Sequence, residues 1–234
     1  MSYQQINDYL LNLANPEIAS HSLRFFKTAA GEYGSGDKFL GIRVPVIRQA
    51  VKKFETTSLP VTTKLLKSEY HEIRLFALLL LVANYSKADE DGRKKIYELY
   101  LNNTRYINNW DLVDSSAHKI VGIHLENRDR TDLYKLSKST SLWERRIAII
   151  ATYHFIRNNQ FDDTLKISRQ LLDDEEDLIH KAVGWMLRET GKRDKGTETA
   201  FLNRHYQAMP RTMLRYAIEK FSKEERQRYL SGRA

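Results

Sequence analysis

A recurrence constrains this chain more than any other feature. Five helical stretches place a charged residue at one register and then continue as apolar helix; the register residues are Arg74, Asp114, Arg146, Lys181 and Arg215. Successive positions lie 40, 32, 35 and 34 residues apart. Steps of this size are expected of two-helix solenoid repeats of the HEAT type, in which each pair buries one face against the next. The spacing predicts an all-α, right-handed solenoid with these five positions along a concave surface.

The punctuation agrees. Ten glycines and four prolines are few for 234 residues, and alternating strand patterns are nearly absent. Helices are expected over 3–13, 16–28, 61–67, 70–84, 90–102, 110–125, 132–137, 142–158, 161–172, 177–190, 197–207, 211–220 and 223–230, with a further one ending near Phe54. Asn15-Pro16 caps the second, and Ser141 with Glu144 and Ser222 with Glu225 have capping-box spacing. No low-complexity linker divides the chain, so one domain over 1–234 is expected. The one glycine-rich loop, 30–38, lacks P-loop spacing and a preceding strand. It is expected to be a connector that could offer Tyr33 and Lys38 to a ligand.

The net charge of +8 and a pI near 9.5 favour a polyanionic partner, nucleic acid above all. Four of the five register residues are cations. One reading is an inter-repeat salt-bridge ladder; another, compatible with it, is a basic groove for a phosphate backbone, with Arg74, Lys181 and Arg215 as contacts. Absence of cysteine excludes thiol catalysis, disulfides and cysteine-ligated metals, and agrees with a reducing compartment. No signal peptide is read at the N-terminus, and the apolar run 75–83 is too short to span a bilayer. A cytoplasmic monomer, nucleoid-associated if bacterial and without a membrane partner, is expected.

The chemistry is concentrated in Asn109-Trp110-Asp111-Leu112-Val113-Asp114. On a helix, Trp110 and Asp114 share a face, one turn apart. A ring face beside a carboxylate suits a cationic guest. A lone tryptophan is more often core, and an aspartate near a helix start is more often a cap. Their place on the basic register, with Trp185 one turn after Lys181, favours the site reading. Arg146, one repeat on, is the natural partner to hold Asp114 ionised. Trp143 reads as packing.

These motifs together resemble the AlkD-type DNA alkylation-repair glycosylases. The resemblance rests on Trp110-Asp111-x-x-Asp114, Trp143-Glu144-Arg145-Arg146, the segment from Ala182 to Glu189, and Phe39-Leu40-Gly41-Ile42 followed by Pro45 and Arg48. It implies HEAT-like repeats and removal of cationic alkylated purines, typically 3-methyladenine and 7-methylguanine, from duplex DNA without burying a flipped base. By the same resemblance, Trp110, Asp114 and Trp185 surround the lesion's deoxyribose as the catalytic group, and Arg146 supports them. Two positions depart from the pattern. Asn109 stands where some members have tryptophan, and Phe25 falls where some have a DNA-contacting tyrosine.

The residues fit that reaction. A purine alkylated at N3 or N7 leaves as a neutral base, so no general acid is needed. The charge that develops on the sugar calls for a nearby carboxylate. Neither metal nor cofactor is required, and the seven histidines show no zinc-site spacing. The competing class is a non-catalytic HEAT scaffold that binds DNA or an acidic protein. It explains charge and repeats, but not two tryptophans on the basic register beside one carboxylate.

Overall fold

The structure is a computed structural model and describes residues 1–233. Every regular element among them is helical; the one β-type contact is an isolated bridge between Lys38 and Tyr70. The all-α class expected from the repeat register is what the chain adopts. It divides into two compact units, the first ending at Ser116 and the second beginning at Ala117.

The first unit holds α1 (Tyr3–Leu11), α2 (Pro16–Phe25), α3 (Val44–Lys53), α4 (Leu59–Leu66), α5 (His71–Lys87), α6 (Glu90–Leu101) and most of α7 (Trp110–Ala117). Its centre is α5, which buries residues on every side, from Ile73 through Leu81. A helix that is apolar all round must be enclosed, and α3, α4 and α6 pack against it. Asn15 caps α2 by accepting from the Ile18 N–H, with Pro16 at the first helical position. Ser2 and Gln5 form a capping box on α1 that the sequence reading did not single out.

The segment 39–42 is extended, and the reason is a buried carboxylate. Glu72 accepts hydrogen bonds from the N–H groups of Leu40 (2.9 Å), Gly41 (2.7 Å) and Ile42 (3.3 Å). Gly41 has φ +77°, and a Cβ there would lie 2.1 Å from the Asn15 carbonyl. No other residue fits this close approach without moving α2. The Phe-Leu-Gly-Ile motif is therefore a docking strap, tied to α5 by Glu72 and to α2 by the Asn15 N–H to Leu40 carbonyl bond of 2.8 Å.

The second unit opens on a π-helical turn, His118–Gly122. It continues with α8 (Thr131–Leu136), α9 (Leu142–Ala151), α10 (Tyr153–Arg157), α11 (Asp162–Gln170), α12 (Asp177–Arg193), α13 (Lys195–His205), α14 (Arg211–Ala217) and α15 (Lys223–Leu230). Here α12 is the hub, with α9, α11, α13 and α14 against it. Gly184 lets α14 approach: a Cβ there would meet the Met213 carbonyl at 2.4 Å and the Tyr216 Cβ at 2.5 Å.

Four sequence expectations change in detail. The helix expected over 142–158 breaks at Thr152, whose hydroxyl donates to the Ile149 carbonyl and competes with the helical ladder. The one expected over 110–125 passes into the π turn, and that over 211–220 ends in a 3-10 turn, Ile218–Lys220. The capping box at Ser222 and Glu225 forms. The one at Ser141 does not, because Glu144 accepts from Ser139 instead (2.5 Å).

Candidate functional site

Trp110 opens α7, and its indole is held by rings from α2 and the residue after it. Phe26 stacks on it at 5.4 Å and 25°, and Phe25 meets it edge-on at 5.9 Å. The stack continues: Phe26 lies on Phe39 at 5.0 Å, and both rings enclose His71, at 4.9 and 4.6 Å. Phe25 itself is 56% exposed, although apolar. Asp114 follows Trp110 by one turn of α7 and is half-buried. Burial, and to a lesser extent the Asp114 charge, pushes the phenol of Tyr100 well above the usual range, while Tyr100 shares a 3.0 Å hydrogen bond with Ser116.

The start of α7 is pinned by a buried ionic chain. Asp111 accepts from His71 Nε2 at 2.8 Å, and its other oxygen accepts from the Leu112 N–H. His71 Nδ1 faces Asp37 at 3.4 Å, and Asp37 accepts from Arg74 at 2.6 Å. Asn109, fully buried, donates to the same Asp37 at 3.4 Å and accepts from the Trp110 N–H at 2.8 Å. Burial alone would lower the His71 pKa. The hydrogen bonds to Asp111 and Asp37 outweigh it and raise the pKa to about 9. For Asp37, burial works upward, but His71 and Arg74 hold its carboxyl below the usual range. At neutral pH the chain thus reads carboxylate, imidazolium, carboxylate, guanidinium, and its charges cancel.

This network revises one expectation. Arg74 was expected to contact a phosphate backbone. Its side chain is only 4% exposed, and it is engaged by Asp37 and by the carbonyls of Ser68 and Glu69. It has no surface to offer DNA and is held inside the buried ionic chain, by a loop carboxylate and not by a neighbouring register residue. Lys38 is exposed and pairs with Glu69 at 2.6 Å.

In the second unit, Trp185 is half-buried on α12. Its Nε1 donates to Glu189 at 3.1 Å, and its ring lies 5.9 Å from Tyr153. Lys181, one turn earlier, pairs with Asp177 at 2.7 Å. Arg146 is 5% exposed, and its guanidinium donates to the Leu178 carbonyl. Arg215 is exposed on α14, with no ion pair among the described residues.

A family model described as DNA alkylation repair enzyme matches residues 6–221. The chain belongs to that family. A solved structure described as a predicted DNA alkylation repair enzyme from Enterococcus faecalis is similar, with a TM-score of 0.68 at 19% identity over 90% of this chain and 97% of that one. At that identity the likeness speaks for the fold alone. No curated protein sequence matches.

Within this DNA alkylation repair fold, the first unit sets Phe25 edge-on against Trp110, with Asp114 one helical turn further along α7. It also assembles His71, Asp37, Asp111 and Glu72, to which sequence reasoning gave no role. One signal was available: a histidine and a glutamate sit side by side at the start of a 17-residue helix that continues as a long apolar run. Buried ionisable groups are usually paired, and these two tie down α7 and the 39–42 strap.

Proposed function

We propose that this protein is a DNA glycosylase that hydrolyses the N-glycosidic bond of cationic alkylated purines, such as 3-methyladenine and 7-methylguanine, in duplex DNA. One observation carries the reading. In a chain of the DNA alkylation repair family, a half-buried indole backed by Phe26 stands one helical turn before a half-buried carboxylate.

The assignment of roles follows the chemistry. Carbon–nitrogen cleavage expels a neutral base and leaves positive charge on the sugar. Asp114 supplies the counter-charge and orients the attacking water. The Trp110 face favours cationic over neutral nucleotides; Phe26 fixes that ring by stacking. Trp185 and Arg146 are proposed to serve the same reaction, Trp185 through its ring face and Arg146 as support. Phe25 lends an apolar contact without a hydroxyl. Lys38, Lys181 and Arg215 are proposed as backbone contacts. The carboxylate partners of Lys38 and Lys181 are exposed, so exchanging them for phosphates costs little. The protein is proposed to act as a monomer in the cytoplasm.

The test is single-turnover release of methylpurine from 7-methylguanine DNA, alongside a binding titration. Asp114→Asn keeps size and removes charge, so it should slow release by on the order of 10²–10³ while DNA is still bound. Trp110→Ala should mainly erode discrimination against undamaged DNA. If the wild type released no methylpurine, a non-catalytic DNA-binding scaffold would be the correct reading; if Asp114→Asn released it at the wild-type rate, Asp114 would be structural.

A further inference from the structure

The second unit has a surface hollow whose charge is all of one sign. It lies between α11 and α13, measures about 330 Å³, and is lined by Lys166, Arg169, Arg204 and His205, with Phe201 and Leu165 as apolar wall. Lys166, Arg169 and Arg204 are exposed, and none has an ion pair or side-chain hydrogen bond among the described residues.

Counter-charges are close in sequence but committed elsewhere. Asp163 on α11 holds Arg130 at 2.5 Å and accepts from Tyr134. Asp194 caps α13 by accepting from the Thr197 N–H and hydroxyl. Glu198 on α13 is only 2% exposed, and burial raises its pKa to about 8, so it stays largely protonated at neutral pH. Asp162, one turn before Lys166, makes no ion pair with it. The guanidinium charges of Arg169 and Arg204 reach His205, whose pKa is lowered first by burial and then by those two charges. His205 in turn lies against Phe201, with ring centroids 4.6 Å apart.

Two other hollows are charge-balanced. One of about 220 Å³ sets Glu225 beside Arg228, and one of about 320 Å³ in the first unit sets Glu72 and Asp111 beside Arg43 and His71. Like charges left together at a concave surface repel one another, and an oxyanion entering between them relieves that repulsion. Two guanidinium forks and an ammonium match phosphate oxygens in charge and in donor geometry.

We propose that the α11–α13 hollow is a phosphate-binding site, filled by a phosphate group of a nucleic-acid strand or by a free phosphate. It stands on helices other than those carrying Trp185, Lys181 and Arg215, and does not depend on the excision chemistry.

The experiment follows backbone amide resonances of 162–170 and 195–205 in the isotope-labelled full chain. The titrants are inorganic phosphate and, separately, a short duplex oligonucleotide, each at ionic strength matched with sodium chloride. Saturable shifts at these amides are expected, and the double variant Arg169→Gln/Arg204→Gln should weaken them at least about tenfold. Both substitutions are on exposed side chains, and an unchanged melting temperature verifies the fold. Shifts with phosphate identify a free anion; shifts with duplex alone identify a strand backbone. Shifts that follow ionic strength only, survive in the double variant, or are absent with both titrants overturn the proposal.

Discussion

Replacing His71 by Gln should remove a pH dependence that the wild-type protein carries. In the folded state the His71 pKa is about 9, against an ordinary value of 6.5. The difference corresponds to about 3 kcal/mol of extra stability when the imidazole is protonated in both states. The pKa is raised on folding, so this stabilisation is complete below pH 6.5, declines as pH rises, and is gone above about pH 9. Urea unfolding at a series of pH values across that window measures it. Glu198, with its pKa raised to about 8, also makes stability fall with rising pH. The decisive quantity is therefore the difference between wild type and His71→Gln. Glutamine can donate to Asp111 or Asp37 but cannot carry the charge that balances both. The variant should be less stable by about 3 kcal/mol at the acid end of the window, with the gap closing by several-fold toward its alkaline end. A gap of constant size would show that His71 is neutral in the folded protein, and the alternating chain of charges would be wrong.

Other substitutions probe separate features. Glu198→Gln should stabilise the protein by on the order of 2 kcal/mol at neutral pH, since it abolishes the cost of holding a proton that the unfolded chain releases; a lower melting temperature at neutral pH would show that the carboxyl is paired. Gly184→Ala should cost roughly 1–3 kcal/mol in denaturant unfolding, because the new methyl meets backbone and Cβ atoms of α14 that cannot swing away; an unchanged unfolding midpoint would mean that α14 can withdraw. Arg215→Glu should weaken duplex binding equally for all sequences and flatten its salt dependence by roughly one counterion or more; an unaltered salt slope would remove Arg215 from the DNA surface.

What the sequence made legible follows from periodicity. The 3.6-residue pattern finds helices, and repetition of the pattern finds their pairing, so the all-α fold could be read before any coordinates. Trp110 and Asp114 were readable because one helical turn fixes their relation. The chain of Asp37, His71 and Asp111 was not, because its members are 34 and 40 residues apart and meet only through packing. Arg74 misled for a related reason. A register position shows which residues are equivalent, not whether each faces water, and Asp37 arrives from a loop outside the repeat pattern. The strap at 39–42 was recognised as a motif, but its cause, three N–H groups converging on Glu72, is tertiary. Ser141 and Glu144 had the right spacing for a cap and lost it to the Ser139 hydroxyl.

The clamp on His71 also bears on how such a protein would fare among electrophiles. Agents that methylate purines attack protein nucleophiles as well, thiolates first and neutral imidazoles after them. These 234 residues contain no cysteine. His71 is 1% exposed and holds a proton on each ring nitrogen at neutral pH, so neither nitrogen has a lone pair to give. The side chain that anchors α7 is thereby chemically inert toward the same reagents that would create the proposed substrate.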